Sequence, residues 1–168
     1  MIVRCSSLAL VVASLVMLAA SPADAQSRRA RAETPVETLA AANSAARQSP
    51  TREGFVQARH VYAYQEGAIY EVYAHPSYVS TILLEPGEAL TDIAAGDTSR
   101  WMVTQAESET AEDPRTVVLV KPNASGLRTN IVLITDRRTY LIEAIAQSGS
   151  AYSAQIAWSY PRPEATAP

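Results

Sequence analysis

From residue 58 onward, short apolar runs alternate with turn residues. Val61 to Tyr64 leads into Gln65-Glu66-Gly67, and Ala68 to Ala74 (AIYEVYA) ends at His75-Pro76-Ser77. Tyr78 to Leu84 meets Glu85-Pro86-Gly87, and Glu88 to Ile93 meets Ala95-Gly96-Asp97. Trp101 to Gln105 precedes a polar excursion, then Thr116 to Lys121, Thr129 to Thr135, Tyr140 to Ala146 and Ser153 to Trp158 follow. Eight or nine such runs at this spacing predict an all-β domain, an antiparallel β-sandwich over residues 58–161. No helical pattern separates the runs, which disfavours parallel βαβ units.

Alternation assigns the faces. Val79, Thr81 and Leu83 share one side of their run, with Ile82 and Leu84 on the other. Ile131 and Leu133 oppose Val132 and Ile134, a pattern that predicts a central strand covered on both faces. Tyr140, Ile142 and Ala144 alternate with Leu141, Glu143 and Ile145, and the pattern does not say which set is buried. Trp101 and Trp158 are the largest candidates for the core.

The flanks differ. Arg4, an apolar stretch from Leu8 to Ala20 and small residues at Ala23 and Ala25 predict an export signal over residues 1–25, cleaved between Ala25 and Gln26. A helix of that stretch spans roughly 20 Å, short of a hydrocarbon core of about 30 Å. Residues 26–57 read as a flexible lead-in with a small basic cluster, Arg28, Arg29 and Arg31. Within it, Thr34-Pro35-Val36-Glu37 fits a capping box opening a short helix over 35–48, stopped by Ser49-Pro50. Residues 162–168 form a Pro-rich stub.

The net charge of −3 excludes a basic nucleic-acid surface. Cleavage removes the only cysteine, Cys5, together with Arg4 and Asp24, so the balance is unchanged and no disulfide is expected, although the compartment of an exported chain would permit one. His60 and His75 lack metal-like spacing to other ligands; His75 is expected in a turn and His60 on the surface. No G-x-S-x-G, phosphate loop or paired-carboxylate signature emerges from Glu88, Asp92 and Asp97, so no catalytic, cofactor or metal residues are expected. Glu107, Glu109, Glu112 and Asp113 crowd one excursion, which is either a solvated loop or an acidic contact for a basic partner. Asp136-Arg137-Arg138 joins two strong strands. Asp136 is expected to form an Asx turn, with the arginines paired within the chain or with another subunit.

In order, Pro86-Gly87-Glu88, Gly96-Asp97, Trp101, Lys121-Pro122, Gly126-Leu127, Thr129-Asn130, Thr135-Asp136-Arg137-Arg138-Thr139-Tyr140 and Tyr160-Pro161 resemble the N-terminal domain of the TrbG/CagX family of type IV secretion and conjugal transfer proteins. The resemblance covers about residues 60–161 and implies scaffold roles for those positions. It implies a periplasmic component of a core complex, assembling as a ring with copies of itself and a TonB-like partner anchored in the inner membrane. The family also contacts a small lipoprotein through a second domain. Pro161-Arg162-Pro163-Glu164 stands where the interdomain linker would begin, so that contact is not expected from this chain. The alternative class is a stand-alone periplasmic domain binding a small ligand or peptidoglycan. A hydrolase would require carboxylates that converge only in the fold.

Overall fold

The proline at position 35 opens helix α1 (Pro35–Ala46), where its missing N–H costs nothing. The computed structural model describes residues 34–108 and 114–161. The expected signal peptide with Ala25 and Gln26, the arginines at 28, 29 and 31, the carboxylates Glu109, Glu112 and Asp113, and the stub 162–168 lie outside the described residues. Helix α1 buries none of its residues. The strands are β1 (Arg47–Gln48), β2 (Phe55–Val56), β3 (Arg59–Ala63), β4 (Ile69–Ala74), β5 (Ser80–Leu83), β6 (Leu90–Ala95), β7 (Trp101–Ser108), β8 (Arg115–Pro122), β9 (Arg128–Thr135), β10 (Thr139–Ala146) and β11 (Gln155–Ser159). Each apolar run of the sequence became one of β3 to β11.

Two sheets face each other. One has the order β1-β4-β10-β9-β6 and the other β2-β3-β11-β5-β8-β7. The domain is the expected all-β sandwich, but its sheets are mixed rather than antiparallel. Strands β4 and β10 run parallel, as do β11 with β3 and with β5, and β1 with β4. Parallel neighbours need a long crossover. Here the crossover passes through the opposite sheet instead of a helix, so the lack of helical patterns did not exclude it.

From Arg47 the stretch read as a lead-in contributes to both sheets. Strands β1 and β2 hold two residues each, too few for alternation to show. Side chains fasten them: Arg47 Nε donates to Glu143 at 2.6 Å, and Ser49 Oγ donates to Glu71 at 2.7 Å. His60, expected at the surface, is buried, because its Nε2 accepts the Thr51 N–H at 3.0 Å and its ring lies between Phe55 and Tyr62. His75 sits in a turn, accepting the Ser77 N–H through Nδ1.

The inner faces meet on Tyr70, Val72, Tyr140, Ile142, Ile131 and Leu133 from one sheet and Tyr62, Ile82, Val118, Val120, Ile156 and Trp158 from the other. Trp101 is buried as well. Strand β9 departs from expectation: Ile131 and Leu133 are fully buried, whereas Ile134 is 40% exposed. An interior place in the sheet order does not cover its outer face. In β10 the buried set is Tyr140, Ile142, Ala144 and Ala146.

Ile131→Ala is therefore expected to cost about 2–5 kcal/mol in urea unfolding, while Ile134→Ala costs well under half of that. Burial also pushes the His60 imidazole below its ordinary value of 6.5, against the raising effect of its bond with Thr51. A lowered folded value means stability present above about 6.5 is lost as the pH falls toward the folded pKa. NMR titration of the ring is expected to give a midpoint under 6.5, and a midpoint above it would contradict this packing.

Candidate functional site

Glu85-Pro86-Gly87-Glu88 closes a β-turn, with the Glu88 N–H donating to the Glu85 carbonyl at 3.0 Å. Pro86 pre-sets the first central position, and Gly87 takes a φ of 72° at the second, the signature of a type II turn. The turn returns the Glu88 side chain inward, where it is fully buried. Tyr140 Oη donates to Glu88 Oε2 at 2.8 Å, and Thr135 Oγ1 donates to Glu88 Oε1 at 2.5 Å. The Glu85 N–H donates to Oε2 at 3.2 Å, and Arg138 Nε lies 3.8 Å from Oε1. Since Tyr140 spends its proton on the carboxylate, the Tyr160 hydroxyl, 2.9 Å away, donates to Tyr140. A buried carboxylate is tolerated only with such a set of donors.

The hairpin between β9 and β10 supplies most of them. Thr135 Oγ1 accepts the N–H groups of Arg137 and Arg138 at 3.1 and 2.9 Å, which bends the hairpin. This corrects the Asx turn expected at Asp136. The threonine, one residue earlier, takes the turn amides, and Asp136 bonds across to Ala89: its Oδ1 accepts the Ala89 N–H at 2.9 Å and its N–H donates to the Ala89 carbonyl. The reason lies in β6, whose register with β9 shifts between Leu90 and Asp92, so a side-chain acceptor takes over beside the irregularity.

Both arginines fold onto the turn. Arg137 donates to Glu85 Oε2 at 3.0 Å and to the Gly87 carbonyl at 3.0 Å. Arg138 donates to the same Glu85 oxygen at 2.8 Å, and its guanidinium lies 3.9 Å from the Tyr160 ring centre and 5.2 Å from that of Tyr64. Burial pushes the Glu85 carboxyl up, but hydrogen bonds from Arg137 and Arg138 outweigh it and hold the group below its ordinary value. Burial would lower Arg138, and the Glu88 carboxylate with the hydrogen bond to Glu85 raises it instead. Desolvation, with the hydrogen bond it donates to Glu88, pushes the Tyr140 phenol far up.

A second cluster gathers the other motif residues. Gly96 donates its N–H to the Asn130 carbonyl at 3.0 Å, and a Cβ there would stand 2.5 Å from Asn130 Oδ1. Asp97 receives the Thr129 hydroxyl as acceptor for its own N–H and pairs with Arg100 at 2.5 Å. This bend delivers Trp101 to the core opposite Pro122. Lys121 faces Met102 at the same end of the ladder. Gly126 turns the chain at a φ of 75° before Leu127, which packs on the core.

The fold thus joins Pro86, Gly87, Glu88, Arg137, Arg138, Tyr140 and Tyr160 into one network and separates them from Gly96, Asp97, Trp101, Lys121, Pro122 and Asn130. Asp136 borders the first group, and Pro161 follows it at the surface. The carboxylates Glu88, Asp92 and Asp97 do not converge: Glu88 is buried, and Asp92 Oδ1 accepts its neighbour's N–H elsewhere. Sequence reasoning missed Glu85 and Tyr64. For Glu85 a signal existed, because the two ends of a four-residue turn are adjacent, so the glutamates flanking Pro86-Gly87 must share one neighbourhood. The chemistry of the cluster is the fixing of a turn to a hairpin; its carboxylate oxygens are occupied by guanidinium, hydroxyl and amide donors.

Glu88→Ala strips the acceptor from Tyr140 and Thr135 and is expected to cost about 3–5 kcal/mol, measured by urea unfolding. Tyr140→Phe costs about 1–3 kcal/mol by the same measure. The lowered Glu85 group contributes stability above its unfolded value near 4.5, lost as the pH falls through its folded value. Glu85→Gln should flatten that part of the acid-unfolding curve.

Residues 57–168 match the CagX family, described as a conjugal transfer protein. A probable conjugal transfer protein TrbG of Sinorhizobium fredii (strain NBRC 101917 / NGR234) is 36% identical over 95 residues, which cover 56% of this chain and 35% of that protein. The chain therefore spans about a third of the length of this curated relative. Among solved structures, the cysteine protease inhibitor EhICP2 from Entamoeba histolytica aligns with a TM-score of 0.40 at 16% identity, over 53% of this chain and 95% of that one.

Proposed function

We propose a role from one premise: the chain belongs to the CagX family of conjugal transfer proteins. It serves as a periplasmic structural component of a type IV secretion or conjugative transfer core complex. Residues 1–25 act as the export signal, removed between Ala25 and Gln26, and residues 58–161 act as the assembling domain. That domain packs in a ring beside copies of itself and beside a TonB-like partner anchored in the inner membrane.

What supports this is how the family-like residues are used. Glu88, Arg138 and Tyr140 fix the turn before β6 to the β9–β10 hairpin, and Gly96 and Asp97 fix the turn before β7. Such residues make a rigid β module whose loops and edges keep a constant relative position, which is what side-by-side assembly requires. Arg137 is the half-exposed member of the network and can reach a neighbouring subunit.

The test is genetic and biochemical. In a donor strain carrying the transfer system, deleting this gene should abolish conjugation, and restoring the wild-type chain should recover it. Glu88→Ala should restore less than wild type, and the tagged chain should fractionate with the periplasm and co-purify with the TonB-like partner. Unimpaired transfer after deletion, or a chain retained in the cytoplasm, would overturn the role.

A further inference from the structure

Among the described residues, β7 is the last strand of its sheet, and its ladder with β8 fixes which backbone groups point outward. The ladder pairs Trp101 with Pro122 and Ser108 with Arg115 in continuous register, and the Asn123 N–H donates to the Arg100 carbonyl at 2.9 Å. In an antiparallel pair, hydrogen-bonded and non-bonded positions alternate. Arg100 and Asn123 are a bonded pair, so Met102, Thr104, Ala106 and Ser108 also face β8. The backbone N–H and C=O groups of Trp101, Val103, Gln105 and Glu107 therefore point away from the sheet, and β7 is the last strand in its order. Strand β8 agrees: the Leu84 N–H donates to the Thr116 carbonyl, so its even positions serve β5 and its odd ones β7.

Edges are normally blunted by brevity, bulges, proline or charge. Among the described residues, three of the four sheet edges are blunted in this way. Strands β1 and β2 have two residues each, and β2 is followed by Gln57 at a φ of 55°. Strand β6 carries the register shift between Leu90 and Asp92. Strand β7 runs for 8 residues with no proline, glycine or lysine, and only Glu107 is charged. Its side chains are graded: Trp101 is buried, Val103 packs on the core and Met102 is 44% exposed at one end, while Gln105 and Glu107 are exposed at the other.

We propose that the outward edge of β7 receives an extended segment of a partner protein by strand addition. The segment is apolar beside Trp101, Met102 and Val103 and carries lysine or arginine where it passes Glu107. Backbone groups at positions 103 and 105 supply the affinity, and the graded side chains supply the direction. The proposal rests on the assembly role for the partner's existence, but its edge chemistry is testable without that role.

The test uses the purified chain and a blocked peptide as long as β7, with valine and threonine alternating and lysine at one end. Amide hydrogen exchange should slow at Val103 and Gln105 on adding peptide and stay unchanged at Thr104 and Ala106, which β8 already protects. Gln105→Pro removes one outward donor without breaking the β7–β8 ladder, so it should weaken binding about tenfold and leave the unfolding midpoint in place. Replacing the peptide's lysine with glutamate should weaken binding at low salt. Two peptides N-methylated on alternate residues, one on the odd and one on the even set, should differ, since only one set faces β7; equal binding by both, protection at β6 instead, or binding untouched by Gln105→Pro would overturn the proposal. So would concentration-dependent protection of Val103 without peptide, which would assign the edge to a second copy of this chain. A normal peptide result with unimpaired conjugation after gene deletion would instead sink the assembly role and leave the edge site standing.

Discussion

A carboxylate removed from water must be answered by donors, and Glu88 is that carboxylate. Burying an ionised side chain without partners costs far more than a domain's net stability, so its surroundings have little freedom. Two hydroxyls, from Tyr140 and Thr135, and the Glu85 N–H meet the requirement. Each donor comes from a segment that would otherwise be a loop end: the turn before β6, and the two sides of the β9–β10 hairpin. The ion's demand for satisfaction thereby becomes a restraint on the positions of these segments.

The same network is tied into the core by rings. From Phe55 and His60, aromatic contacts pass through Tyr62, Tyr70 and Trp158 to Tyr140, with centroid separations between 4.3 and 5.2 Å. Tyr64 and Tyr160 continue the series to the Arg138 guanidinium. Aromatic pairs of this kind add to area burial and hold relative ring orientations. The column runs from the β2 edge to the hairpin and is drawn from strands of both sheets. It spans the parallel pairs β3–β11 and β4–β10, within each of which no short turn joins the two strands.

For a member of a conjugal transfer family, this division of labour is informative. The residues that carry the resemblance are concentrated where turns must be held. Glu85 shares one oxygen with two guanidiniums, and Arg137 remains half-exposed beside it. The turn, the hairpin and their exposed arginine are therefore tied to one another by side-chain bonds. Rigid placement of surface groups lowers the ordering cost of any association.

Much was decided along the chain. The alternation in Tyr140 to Ala146, Pro86-Gly87 between two strands and the burial-prone tryptophans sufficed for a β-sandwich and for its turns, because period-two patterning and glycine's access to positive φ are local effects. Other features were settled only by tertiary structure. Strands β1 and β2 are too short to show a pattern, and they exist because β4 and β3 offer them edges. The parallel pairing of β4 with β10 depends on which sheet each intervening strand joins. Whether Ile134 is covered depends on what lies above the sheet. The sequence showed Glu88, Tyr140, Arg138 and Tyr160 as separate letters of a motif. Only folding brings residues more than fifty positions apart onto one buried charge, because the pairing energy exists only once water has been excluded.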